Sequence, residues 1–371
     1  MHFNKRESYV KPAALSALQT GHTIHYKTMK ITKLLLGAVT ILCAIGQAQA
    51  QGPDEELLEE FASPGVRNMG KSRGIVLSYE RLPQFDIESD SKDPRIESGS
   101  GRVRRNNKFE ARVYAPLVNR PQTKVIFGID YGMEEFNFEN VSPASYPLYS
   151  YLEDKNLQSL GTQLAYLRSV DSRRFYLIRV KGEINGDWGK DNASHNLIDY
   201  LKSTFEAGYG WKKSPDYVIG VGFQVGYTFG RKSIYPAVIY NRTFNDTWGV
   251  EAIFPANTRV RYNVNEKTLL YTGYKIDGAS YNLFVDEGPL SEFKEIELRR
   301  TDFKGFLRLE REIYDFLWFS LEGGFRQYYR NRVFDEIGSQ DEILKNDLAG
   351  AGYVRVELYA VPPRRFMEKK K

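Results

Sequence analysis

Cysteine and histidine are nearly missing, with one Cys and four His among 371 residues. A single cysteine, Cys43, makes no internal disulfide and offers no cluster of thiolates for a metal. Long apolar runs are missing too. Mean hydropathy is −0.48, and the only near-continuous apolar stretch is Leu34 to Ile45. Roughly 12 residues are too few for a helix to cross a ~30 Å hydrocarbon core. No G-x-x-x-x-G-K phosphate loop and no dinucleotide fingerprint occurs.

That apolar stretch reads as part of a secretory leader. Lys30 and Lys33 precede it, and Ala48-Gln49-Ala50 follows as an A-x-A cleavage site, with Ala50 the last residue removed and Gln51 the first retained. Residues 1–28 read as an upstream extension and 29–50 as the signal peptide. Ile41-Leu42 before Cys43 lacks the small residue of a lipoprotein signal. Removing 1–50 takes Cys43, His2, His22 and His25. It also reduces the 52 basic and 47 acidic residues to 46 of each, so the formal charge of +5 disappears. A basic footprint for nucleic acid is thereby excluded.

The one histidine left, His195, lies in DNASHNLID beside Ser194, with Asp191 and Asp199 near. A Ser-His-Asp set needs serine and acid on opposite ring nitrogens, and adjacent loop residues do not arrange that. An embedded hydrolase therefore ranks last, and no enzyme, cofactor or metal site is expected. Gly182 to Asn192 has alternating Asp and Asn but lacks the glycine and terminal Glu of a calcium loop.

What the chain has in quantity is Tyr (25), Phe (22) and Gly (31). They fall into alternating patterns. In Tyr217 to Phe229 one face is Tyr217, Ile219, Val221, Phe223, Val225, Tyr227 and Phe229. The other is Val218, Gly220, Gly222, Gln224, Gly226 and Thr228. Alternation of period two marks a strand. Roughly 13 residues at ~3.3 Å, tilted by ~40°, span a bilayer core. Sixteen such segments are expected between 73 and 360, including 122–138, 200–212, 216–229, 316–331 and 348–360. The short segments 247–254, 257–264 and 279–286 can be read as bent halves of longer strands around Pro255 and Gly278, and merging them in pairs lowers the count to fourteen or twelve. The long connections, 88–106, 139–156, 187–199 and 332–347, all follow odd-numbered segments, and every even-to-odd connection is short. A barrel with external loops and periplasmic turns requires that sorting.

These features resemble a bacterial outer-membrane β-barrel. Trp248 to Pro255, Arg261-Tyr262, Leu269 to Gly273 and Gly278 to Tyr281 are similar, more narrowly, to an uncharacterised domain-of-unknown-function family of such barrels. The resemblance spans roughly 74–362 and implies a fold and a location, the cell outer membrane, but no activity. Its implied partners are outer-membrane lipid and the barrel-insertion machinery. One departure is the C-terminus: the last strand is followed by Val361 to Lys371 rather than ending the chain on an aromatic.

The expected architecture is thus all-β: a transmembrane antiparallel β-barrel of even strand number, about 12–16. It covers 73–362, after an acidic extension at 51–72 and before a basic tail at 363–371. Its inner face carries charge of both signs, and the pore-lining candidates are Arg179, Lys181, Glu206, Glu251, Arg259, Arg261, Arg308, Glu310, Glu322, Arg326, Arg355 and Glu357. Facing charges can hold strand register through ion pairs, or form a constriction that selects solutes. A passive pore for small polar solutes is the leading expectation. A structural or surface-interaction barrel with a plugged lumen is the alternative.

Overall fold

The computed structural model describes residues 61–188, 196–285 and 290–363. The leader, the cleavage site at Ala50 and Gln51, Asp191, Ser194, His195 and the tail beyond 363 lie outside the described residues.

The described chain forms one antiparallel sheet that closes on itself. Its strands are β1 (Ile75–Leu82), β2 (Phe85–Ser91), β3 (Gly99–Asn119), β4 (Thr123–Ser142), β5 (Leu157–Ser169), β6 (Arg174–Gly186), β7 (Leu201–Ser214) and β8 (Tyr217–Gly226). They continue as β9 (Ser233–Thr243), β10 (Trp248–Phe254), β11 (Asn257–Asn265), β12 (Thr268–Val285), β13 (Lys294–Tyr314), β14 (Leu317–Phe334), β15 (Glu342–Leu348) and β16 (Ala351–Ala360). Closure occurs on two levels. β1 lies between β3 and β16, while β2 lies between β3 and β15. β16 and β15 both continue against β14. β1 with β2 therefore forms one wall position, interrupted at Pro83-Gln84, and β15 with β16 forms another. The wall has fourteen positions, an even number within the expected range.

Of the two expected mergers, the one around Pro255 does not occur, and 247–254 and 257–264 stay separate as the β10–β11 hairpin. The one around Gly278 does, since 267–276 joins the next segment as β12, which ends at Val285. A third, not expected, joins 293–301 to 303–313 as β13. The segments 88–106 and 332–347 are largely strand rather than long loops, because β2 and β15 pair across them. Gly278 and Asp302 did not break their strands: an uninterrupted ladder from Thr268↔Arg311 to Val285↔Lys294 supplies both backbones with partners.

Both ends of the barrel chain, Ile75 and Ala360, sit at the end that carries the short turns. That end is periplasmic. Aromatics ring its outer surface in contacting pairs: Tyr166 with Tyr176, Tyr209 with Trp211, Tyr217 with Tyr240, Trp248 with Tyr262, and Tyr314 with Phe316. Above this girdle the outward positions are large and apolar, among them Leu77, Leu160, Leu164, Val180, Phe205, Val221, Phe223, Leu307, Leu321 and Val356, all exposed. Such a belt would aggregate in water and is solvated by lipid in a membrane. The protein is an outer-membrane β-barrel.

Val221 and Phe223 face lipid, and Gln224 faces the lumen, where it donates to Glu206. Alternation in this stretch predicts Tyr217 in the periplasmic girdle and Tyr227 and Phe229 in an outer one; the last two do not mark a girdle, however. β8 ends at Gly226, whose φ of +137° suits glycine, and an added Cβ would lie 2.4 Å from the Ser203 carbonyl. Beyond it the chain folds inward. The Lys202 ammonium lies 4.4 Å from the Tyr227 ring centre, and Phe229 is buried, its backbone carbonyl accepting from Thr301.

Candidate functional site: the barrel interior

The interior divides along the barrel axis. Its outer half holds a large apolar cluster, beside which buried Glu297 accepts from Lys202, Ser280 and Arg299. Helix α1 (Pro147–Asp154), in the β4–β5 connection, buries Leu148, Tyr149 and Leu152. Proline at its start costs no helical hydrogen bond. Leu148, Tyr149 and Leu152 belong to one buried cluster with Phe85, Ile87, Val103, Phe136, Leu283 and Leu298. Tyr149 stacks on Phe138 at 4.7 Å and meets Tyr146 edge-on at 4.6 Å. Its hydroxyl contacts Ser89 at 2.8 Å. Gly99 and Gly101 on β3 make room for these rings, and a Cβ at Gly99 would stand 2.4 Å from the Tyr146 ring. Burial pushes the Tyr149 hydroxyl up to about 12. The upper ends of β12 and β6 meet across the mouth, Asn282 beside Gly186. An apolar cap therefore fills the barrel on the external side.

Below the cap the inner wall is charged. At the boundary, buried Arg300 holds Glu134 with two hydrogen bonds, one of 2.8 Å, and Lys304 reaches Glu80 at 2.7 Å. Further down lies a cavity of about 730 Å³. Of the candidates named from sequence, Arg179, Lys181, Glu206, Arg259, Arg308, Arg355 and Glu357 line it. The other five are inward-facing and buried elsewhere in the wall. Glu251 is the shared acceptor for Arg259 at 2.8 Å and Arg261 at 2.9 Å. Glu310 accepts from Tyr359 at 2.8 Å. Glu322 accepts from Arg308 at 2.7 Å and Tyr353 at 2.7 Å. Arg326 donates to Asn106 at 2.8 Å and lies over the Tyr328 ring. Arg179 grips Glu206, and Lys181 contacts both Asp130 and Glu183. Arg355 links Glu110, Glu357 and Ser78.

Sequence reasoning missed Arg73, Lys108, Glu110, Arg112, Lys275 and Asp277, which also line the cavity. Lys108, Glu110 and Arg112 alternate along β3, so period two could have found them. Nothing local could have found Arg73. It precedes β1, yet it pairs with Glu310 and, at 2.6 Å, with Glu357, and lies over the Tyr359 ring. These carboxylates raise its pKa further above the usual arginine range, against the opposing effect of burial.

Arg73 ends a segment, residues 61–74, that follows the inner side of the periplasmic rim. Ala62 donates to the Asp171 carbonyl at 3.0 Å, and Arg67 to the Pro215 carbonyl at 3.0 Å. Asn241 holds the Pro64 carbonyl at 2.8 Å and Thr243 the Arg67 carbonyl at 2.6 Å. Arg261 donates to the Asn68 carbonyl, which explains its full burial. Gly74 then joins β16 through Ala360 at 2.8 Å. Among the described residues no cluster of His, Cys, Asp and Glu is placed to hold a metal ion.

Residues 126–356 match the profile of a family described as a domain of unknown function, DUF6268. No curated protein matches the sequence. Among solved structures, the chain is similar to an outer-membrane channel from Pseudomonas putida F1, at 10% identity and TM-score 0.34, covering 81% of this chain and 99% of that one. It is similar to a Pseudomonas aeruginosa FadL homologue at 9% identity and TM-score 0.35, covering 78% and 90%. It is also similar to the translocator domain of the autotransporter NalP from Neisseria meningitidis, at 9% identity and TM-score 0.30, covering 91% and 98%. Likeness at this level carries nothing beyond the barrel that the strand pairing already establishes.

Proposed function

The chain belongs to the DUF6268 family, whose description assigns no activity, and from that premise we propose that it is a gated channel for small polar solutes. The observation that carries this reading is the cavity of about 730 Å³ lined by charge of both signs. A barrel that served only as a wall or anchor gains nothing from such a space. A charged cavity forgoes packing that apolar side chains would supply. The size suits one small ligand.

The passive pore expected from the sequence is replaced by a gated one, because apolar material stands in the path. The cap around α1 obstructs the external side, and the 61–74 segment narrows the periplasmic side. Passage requires one or both to move. α1 is the candidate external gate: it hangs from a loop, whereas β12, β13 and β14 beside it are paired along their length.

The alternative, a structural barrel with a plugged lumen, draws on the same cap. Planar-bilayer conductance separates the two. The full mature chain is expected to open rarely. A variant in which 144–155 is replaced by a short Gly-Ser linker is expected to conduct steadily, and one lacking 51–72 to conduct at intermediate levels. Silence from all three, each shown to be folded, would sink the channel reading and leave the structural one.

A further inference from the structure

The chamber is not electrically balanced where a solute would meet it. Ten Lys and Arg side chains line it, against six Asp and Glu. The acids that compensate stand behind the cations. Arg259 is 30% exposed, and its partner Glu251 4%. Arg112 is 32% exposed, and its partner Glu357 3%. Arg179 and Lys181 follow the same order against Glu206 and Asp130. Asp277 and Glu110 are exceptions, exposed beyond Lys304 and Arg355. The surface presented inward is therefore cationic, although the whole wall is near neutral. Carboxylates placed behind guanidinium groups fix their positions and leave donors directed at the space.

Among the chamber arginines, Arg112 is held by long contacts only. Its Nη2 stands 3.4 Å from Glu357 and 3.7 Å from Glu110, both long for a charged hydrogen bond. Its Nε is buried with no hydrogen-bond partner. The guanidinium is therefore held to the wall through long Nη2 contacts, and its exposed face is open to an acceptor in the chamber. Arg112 stands on β3, Arg179 and Lys181 on β6, and Arg259 on β11, so cations enter the chamber from three separated parts of the wall.

Building on the channel reading, we propose that the chamber binds small oxyanions, carboxylates or phosphates of more than one charge, with Arg112 as the anchoring donor. Arg179, Lys181 and Arg259 complete the cationic surface. The low-dielectric wall strengthens their field relative to water.

Equilibrium binding to the folded mature chain in detergent tests this, with citrate and 1,4-diaminobutane as probes at constant ionic strength. Citrate is expected to bind saturably and more weakly at higher salt. Diaminobutane is expected not to bind. Arg112→Gln should weaken citrate at least tenfold, and Arg179→Gln severalfold. The second variant carries the test if the first fails to fold, which heat-dependent gel mobility reports. Diaminobutane binding as tightly as citrate, non-saturable citrate binding, or unchanged citrate affinity in every folded variant would overturn the proposal. The channel reading fails separately. Saturable citrate binding by a barrel that never conducts removes the channel and keeps the site. Conductance that prefers cations, without citrate binding, does the opposite.

Discussion

The two halves of the barrel interior are built from opposite chemistry on the same ladder. Above the Arg300–Glu134 pair, inward positions are Leu283, Ile296, Leu298, Val333 and Leu344, all buried. Below it they are Arg355, Glu357, Glu310 and Arg308. The wall is continuous through the change, since β12 and β13 pair without interruption from one half into the other. Backbone hydrogen bonding therefore sets the cylinder, and side chains alone decide whether a section is filled or hollow. The apolar half excludes water and fixes one packing. The charged half leaves a chamber where Lys and Arg outnumber Asp and Glu, whereas Glu297, packed deep in the upper half, has Lys202 and Arg299 as partners that offset its desolvation.

The comparison can be broken most forcefully at its boundary. Glu134→Ala leaves Arg300 buried without its carboxylate, and is expected to cost about 3–5 kcal/mol. Urea unfolding of the purified barrel would measure it, and a loss under ~1 kcal/mol would show that water reaches this level. In the cap, Leu148→Ala should cost about 2–5 kcal/mol through lost burial and a residual cavity, read in the same way. Gly99→Ala is expected to displace α1, since the new methyl meets the Tyr146 ring. Faster hydrogen exchange across 147–154, with β5–β9 unchanged, would confirm that the cap yields before the wall.

The cap also has a pH signature. Tyr149 is raised by burial to about 12, above the ~10 of an unfolded tyrosine. Its contribution to stability is present below pH ~10 and is lost as pH rises toward 12. An ultraviolet titration should show this tyrosine ionising late with the other buried tyrosines, and Tyr149→Phe should lower the amplitude of that late phase by one tyrosine. Arg179→Gln, a half-exposed pair in the chamber wall, is expected to change stability least, by about 0–1 kcal/mol. A cost comparable to that of Leu148→Ala would mean that the charged half is as tightly built as the apolar half.

Much of the lower barrel was legible in residue order. Tyr353, Arg355 and Glu357 alternate with Val354, Val356 and Leu358, and the structure places the first set inward and the second on lipid. Where lumen and lipid differ in polarity, period two is enough to read both faces. In the upper half that contrast is lost. Leu298 faces inward and Phe303 faces lipid, and both are apolar. The pattern therefore could not show that the mouth was filled. Helix α1 was hidden for a related reason: eight residues starting at a proline carry little local signal, and packing on Gly99 and Gly101 supplies their stability.

Alternation, the aromatic girdle and the sorting of loops are local quantities, each set by neighbours within one strand or turn, so residue order alone determined an even-stranded barrel of antiparallel membrane strands. Which residues meet across the lumen is decided by closure of the ring. Arg73 reaching Glu310 and Glu357, Arg261 seizing the Asn68 carbonyl, and α1 filling the space beneath the external loops all join positions far apart in the chain. Only the closed cylinder brings them within reach, and it is there that a wall of mixed charge becomes a capped chamber with its cations in front.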